Sequence, residues 1–307
     1  MTRVAVIGLG TMGAGICAVM ARAGNDVSAW DIEPEAMETA AASMPVIGNV
    51  LDALDMPVAD AVKSVSFTGT LGEAVQGCDL VLENVPEKLE LKRDVFEQIV
   101  GHISDTCILA SDTSGIPISK LQAGMPSPER IVGMHWSNPP HIIPMIEVIA
   151  GSETEGKTVD WMIKFIKSLN MLPVKVDKDV PGFVENRILY AIMREAVDLV
   201  ERGIIEPEHL DTCVKWGIGY KLAVVGPMAL LDMAGLDIYK SVSSYLNADL
   251  CDRKDISPYV TAKTDSGDLG LKTGGGIYSY TPEELATIRS MRAKQFIAVR
   301  KALESSS

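Results

Sequence analysis

The stretch "RVAVIGLGTMGAGICAVMARAG", residues 3–24, decides how the chain is read. Its first part is a short β-branched run ending in glycine, the pattern of a buried strand. Its second part has the small-residue spacing of a closely packed helix, and Gly24 supplies a stop. Between them stand Gly8, Gly10 and Gly13 in the order G-x-G-x-x-G, with Thr11 and Met12 ahead of the third glycine. Gly8 permits a tight turn, Gly10 lets the backbone approach a diphosphate, and Gly13 lets helix and strand lie close. A diphosphate held there rests on the unpaired N–H groups of the helix start, with the dipole in its favour.

Working outward, "DVSAWD" reads as a second strand that ends at Asp31. An acid at this point accepts hydrogen bonds from ribose hydroxyls and repels a 2′-phosphate. No Arg directly follows it, so the spacing favours NAD over NADP. A tight strand–helix turn with a solvated Asp is the structural alternative. The helix "EPEAMETAAASM", the strand "CDLVLENV", the helix "EKLELKRDVFEQIVGHI" and the strand "CILASDT" follow. This alternation runs to about residue 180 and predicts an α/β, Rossmann-type doubly wound parallel sheet over residues 1–180. After Pro181-Gly182 the alternation stops. "FVENRILYAIMREAVDLVERG", "EPEHLDTCVKWGIG" and "GPMALLDMAGLDIYKSVSSYL" are amphipathic helical stretches, so residues 183–307 are expected to form an all-helical domain. Its Met- and Leu-rich faces serve either its own core or a homodimer interface.

Composition narrows the partners. The formal charge of −13 disfavours nucleic acid and anionic membranes as partners. No apolar run reaches the ~20 residues of a membrane span. The five Cys are scattered without a C-x-x-C pair, which suggests reduced thiols in a cytoplasm. Among four His there is no H-x-x-x-H, so no metal is expected. The segment "GMHWSNPPHIIPMIEVI", residues 133–149, is harder to place. It sets His135 and Glu147 among Met, Ile, Val and Pro, where a charged group is costly without a partner.

"VIGLGTMGAGI", "ENVPEKLELK", "SDTSGIPISKL", "GMHWSNPPHIIPMIEVI", "VPGFVENRI" and "GGGIY", in this order and spacing, resemble the 3-hydroxyacyl-CoA dehydrogenase superfamily over nearly the full length. The resemblance implies that His135 is a general base and that Glu147 orients it. It further implies that Ser114 and Asn186 contact the reacting oxygen, and that Glu87, Lys92 and Lys272 line the nucleotide cleft. Asn138 is the family's Asn in "NP" and falls among the substrate contacts. The segment then has a rationale: "IVGMHW" is a strand, "SNPP" breaks the direction, and "PMIEVIA" returns, so Glu147 can meet one nitrogen of His135. Taken singly, each residue keeps a bland alternative: a satisfied structural His, a turn-capping Ser, an early-helix Asn, a Glu paired with a surface Lys.

Substrate class follows from narrower resemblances. The segment after the second strand has one Lys, Lys63, and serves coenzyme A phosphates poorly. "NPP" and "VERGII" resemble the branch that acts on free acids. "ASDTSGIPISKLQ" and "WGIGYKLAVVGPMALLDMAGLDIYKSVSS" resemble bacterial dehydrogenases of vitamin B6 breakdown, which implies a small anionic aromatic aldehyde, oxidised as its hydrate. Lys221, with Arg187 in reserve, is the expected cation for such an anion. A hydroxy-acid or hydroxyacyl-CoA dehydrogenase, or a non-catalytic NAD-binding protein, are the competing readings.

Overall fold

The computed structural model describes residues 1–60, 62 and 64–305. Lys63 and the last two residues, where a frayed end is expected, lie outside them. The chain divides into two compact units, Met1–Arg187 and Ile188–Ser307.

In the first unit, β1 (Arg3–Ile7), α1 (Gly13–Arg22), β2 (Asp26–Trp30) and α2 (Pro34–Ala53) open the chain. Then come β3 (Ser66–Phe67), α3 (Leu71–Val75), β4 (Leu80–Glu83), α4 (Leu89–Val100), β5 (Ile108–Ser111) and α5 (Ile118–Gln122). The unit ends with β6 (Ile131–Trp136), β7 (Met145–Ala150), α6 (Gly156–Ser168) and β8 (Leu172–Val176). The strands form one eight-stranded sheet in the order β3-β2-β1-β4-β5-β6-β7-β8. Pairing is parallel throughout except between β6 and β7. The order reverses direction between β1 and β4, the switch point where open α/β sheets bind ligands.

Burial on both faces explains the continuous apolar runs. Ala5 and Ile7 of β1 join Val81, Phe96, Leu109 and Leu121 in one core cluster that takes in α4 and α5. Val4 and Val6, on the opposite face by the two-residue period, are equally buried. Gly24, with φ +83°, ends α1 as the sequence suggests. α2 runs past the expected "EPEAMETAAASM", carrying Pro45 inside it. β8 is the exposed edge strand, and its Pro173 is tolerated because an edge N–H needs no ladder partner.

The second unit is helical. It takes up α7 (Glu185–Glu201), whose first turn belongs to the first unit, then α8 (Pro207–Cys213) and a π-helical stretch over Val214–Gly219. After these come α9 (Tyr220–Val224), α10 (Pro227–Ala234), α11 (Leu236–Leu246), α12 (Pro258–Asp265) and α13 (Pro282–Glu304). Thr281 and Glu284 form a capping box at the start of α13. Among the described residues no single helix is long and apolar enough to cross a membrane.

Candidate active site

β6 and β7 form an antiparallel pair in which His135 stands directly opposite Glu147. This register explains the apolar segment: one hairpin brings the two polar side chains together on the same face of the sheet. His135 Nδ1 lies 2.8 Å from Glu147 Oε2, and both residues are buried. The other carboxylate oxygen, Oε1, accepts the N–H of Val184 at 2.9 Å and of Glu185 at 3.1 Å. These amides belong to the start of α7, so the helix dipole also favours the charged carboxylate. They converge because Gly182 and Phe183 both adopt left-handed backbone, φ +77° and +48°. A non-glycine residue held there costs on the order of 1–3 kcal/mol. The Phe183 ring then packs against the imidazole with centroids 5.8 Å apart.

Electrostatics divides the roles. Burial alone would lower the pKa of His135. The hydrogen bond to Glu147 and the charges of Asp112, Glu147 and Glu185 outweigh it and hold the imidazole above its ordinary value. Burial pushes Glu147 up, but His135 and the two α7 amides prevail and hold it below the usual carboxylate range. Glu147 is therefore ionised and His135 is a base of raised strength, with Nδ1 committed to the acid.

Ser114 and Asn186 are neighbours across the start of α7. Asn186 Nδ2 donates to the Ser114 carbonyl oxygen at 2.8 Å. Ser114 is exposed, and among the described residues its hydroxyl has no partner. Glu87 fixes this loop: its Oε1 accepts N–H groups from Ser114 (3.1 Å), Gly115 (2.9 Å) and Ile116 (3.3 Å), and the Thr113 hydroxyl at 2.6 Å. Lys92 departs from expectation. Rather than lining the cleft, it is only 1% exposed, with Nζ 2.8 Å from Glu83 Oε1 and 2.9 Å from the Val85 carbonyl. Its long stem lies in the core behind the cleft, and its charge is spent on a buried acid. Asn138, with a cis bond to Pro139, and Arg187 are exposed in the first unit. Lys221 and Lys272 are exposed residues of the second unit.

The phosphate cradle has the shape a dinucleotide needs. Gly8, at φ +99°, packs where a Cβ would strike the Asn84 carbonyl. A Cβ on Gly10 would meet nothing within 4 Å and would protrude into the open cradle. Asp31 does more than expected: its Oδ2 accepts the Leu9 N–H at 2.6 Å and its Oδ1 the Glu33 N–H at 2.9 Å, which ties the second strand to the glycine turn. It stays part-exposed, with lone pairs left for ribose hydroxyls.

Residues 3–180 match the NAD binding domain of 3-hydroxyacyl-CoA dehydrogenase, and residues 182–280 match its C-terminal domain. The chain belongs to the 3-hydroxyacyl-CoA dehydrogenase family. It is 59% identical over 302 residues, 98% of each chain, to the 5-formyl-3-hydroxy-2-methylpyridine 4-carboxylate 5-dehydrogenase of Mesorhizobium japonicum. A crystal structure of an enzyme of that activity, described as an NAD+ dependent dismutase, superposes with a TM-score of 0.96 at 58% identity over 99% of both chains. A probable 3-hydroxybutyryl-CoA dehydrogenase of Deinococcus radiodurans is 34% identical over 90% of this chain and 99% of its own. As a member of this family the protein is an NAD-dependent dehydrogenase, and NAD is its cofactor. Gly8, Gly10, Gly13 and Asp31 are the residues fitted to hold it.

In this dehydrogenase, sequence reasoning passed over Asp112, Ser137 and Glu185. The Ser137 hydroxyl donates to Glu185 Oε2 at 2.6 Å, and donor atoms of His135, Glu147 and Glu185 lie within 4.8 Å of one another. Only their neighbours could have pointed to them: "SD" closes the strand β5, and the "E" sits inside "VPGFVENR". Cys17 and Cys107 are buried with thiols pushed up to about 12, and burial raises Cys78 as well. None of these three is a thiolate nucleophile.

Proposed function

We propose that this protein oxidises 5-formyl-3-hydroxy-2-methylpyridine-4-carboxylate, as its hydrate, to 3-hydroxy-2-methylpyridine-4,5-dicarboxylate, and reduces a second aldehyde molecule to the alcohol. The observation that carries this reading is the likeness to the Mesorhizobium japonicum enzyme, which runs through both domains at 59% identity. The site chemistry agrees with it. Cys17, Cys78 and Cys107 are buried with raised thiols and none is an activated nucleophile for a thiohemiacetal; a hydrated aldehyde reacts without one. The hydrate, a gem-diol, carries two O–H groups and one C–H on the same carbon, so it offers the O–H and C–H that a secondary alcohol would.

His135 Nε2 takes the hydroxyl proton, and Glu147 steadies the imidazolium that forms. NAD, when bound, accepts the hydride from the carbon. The Ser114 hydroxyl and the Asn186 amide hold the reacting oxygen, with Glu87 keeping the Ser114 loop in place. In the return direction the imidazolium gives its proton to the oxygen of an unhydrated aldehyde. The sum is aldehyde plus hydrate giving acid plus alcohol, with no net change in NAD. Lys221, with Arg187 in reserve, is the candidate cation for the substrate's carboxylate, and Asn138 the candidate for its ring substituents.

The likeness to 3-hydroxybutyryl-CoA dehydrogenases supports a second reading, oxidation of a 3-hydroxyacyl-CoA. Against it, α2 contains neither Lys nor Arg to meet coenzyme A phosphates. The two separate when the pyridine aldehyde with catalytic NAD is followed by chromatography of its products and acetoacetyl-CoA with NADH is followed by absorbance. Acid and alcohol formed together from the aldehyde with catalytic NAD is the expected result. Faster turnover of the thioester would replace the first reading with the second.

We further propose that two chains associate through the second unit. Among the described residues of α7–α12 no apolar side chain is fully buried, and Val224, Met228, Leu236 and Tyr245 are each more than 60% exposed. A second copy of the same face is the occupant that covers such a surface symmetrically.

A further inference from the structure

Three acids on three elements surround His135, and only one of them touches its ring. Glu147 reaches it from β7, Glu185 from the start of α7, and Asp112 from the end of β5. Asp112 is 8% exposed, and its Oδ1 accepts the N–H of Trp136, the residue next to His135, at 2.8 Å. It continues the β5–β6 ladder with a side chain where β5 has ended: the last backbone pair is Ser111 with Gly133. For that hydrogen bond an amide would serve as well as an acid. A carboxylate at this depth is costly and needs a further reason.

Behind Asp112 lies a second buried pair. Its own N–H donates to the Glu83 carbonyl oxygen, and the Glu83 carboxylate is bound by Lys92 Nζ at 2.8 Å and the Ser111 hydroxyl at 2.6 Å. Lys92 is thus bound to Glu83, and the positive groups that act on the charge of Asp112 are the imidazole of His135 and, after it, Lys92. Burial raises the Asp112 carboxyl to about 7, against the Trp136 N–H and the charges of His135 and Lys92, with Glu83 adding to the rise. It therefore titrates in the same range as an imidazole.

We propose that Asp112 is a positioning residue whose charge, beyond its hydrogen bond to Trp136, keeps the proton on His135 between the two halves of the reaction. In the oxidation, His135 gains the hydroxyl proton of the hydrate as hydride leaves the carbon. In the reduction, it returns that same proton to the oxygen of the aldehyde as hydride arrives. A dismutation conserves this proton, so losing it to water between the halves leaves the enzyme without its acid. The negative charges of Asp112, Glu147 and Glu185 oppose that loss. This assignment rests on the base role given to His135 and on the dismutation proposed above.

Asp112→Asn keeps an acceptor for Trp136 N–H and removes the charge. The His135 ring, followed by NMR in the NAD-free protein, is expected to titrate about one pH unit lower in the variant. The acid limb of kcat/KM for oxidation should move down with it, and aldehyde reduction at neutral pH should fall more than oxidation. An unchanged midpoint for His135 overturns the proposal, even if activity drops at every pH, because a merely structural Asp112 would give that pattern. Should the variant fail to fold, the wild-type titration decides. Coupling to Asp112 broadens the His135 curve beyond that of one proton, and a single-proton curve refutes the assignment. Turnover retained by His135→Ala would instead sink the base role itself, and the ring titration stays readable whichever fails.

Discussion

At the scale of single residues, the dyad makes the sharpest claims. His135→Ala should lower kcat by about 10²–10⁴-fold with NAD affinity unchanged, since His135 is on β6 and the cradle glycines lie between β1 and α1. Quenching of the protein's tryptophan fluorescence on titration with NAD checks the second half of that statement. The pH dependence has a definite sign. A base works only when neutral, and the neighbouring acids raise the His135 pKa above 6.5. Oxidation should therefore climb with pH through a midpoint above that value, and reduction, which needs the imidazolium, should decline through the same midpoint. A pH profile in both directions measures it. Taken singly, each residue of the dyad kept a bland alternative, but the pair was legible because the family resemblance pointed to both residues and the proline-broken return of the chain allowed them to meet. Asp112 and Lys92 were not. An acid after a strand reads as an exposed turn, and a Lys on an amphipathic helix reads as a surface charge. Only the close approach of β4, β5 and α4 reveals that both are buried.

Among elements, the strand–turn–helix at the N-terminus offers a clean separation of folding from binding. Gly10→Ala adds a methyl group to open space, so thermal stability should stay within about 0.5 kcal/mol of the parent. Its NAD affinity should fall by roughly tenfold or more, a loss of about 1.4 kcal/mol that calorimetry can read. Gly8→Ala should instead unfold readily, because φ +99° and the Asn84 carbonyl both oppose a side chain. The alternation of strands and helices could be followed from residue 3 to the hairpin because burial on both sheet faces keeps the strands apolar. It failed at the sheet's margins. β3 has two residues, and β8, "LPVKV", carries Pro and Lys, as exposed edges do. A margin strand is defined by its neighbour more than by its own composition.

For the whole molecule, the second unit sets the expectation of assembly. Sedimentation should give twice the mass of one chain. Leu236→Glu, placed on the exposed face of α11, should shift it toward one chain without altering the fold seen by circular dichroism. A wild-type protein that sediments as a single chain at micromolar concentration removes the dimer. Helix α7, which spans the boundary of the two units, begins on the Glu147 carboxylate. Because Glu147 Oε1 holds the Val184 and Glu185 amides, the exchange of those two hydrogens with deuterated solvent becomes a gauge of the acid's charge. In Glu147→Gln the amides should exchange faster even where the rest of the sheet stays protected. Catalytic readiness in this enzyme can then be monitored in the resting protein, with no substrate added, from two backbone protons.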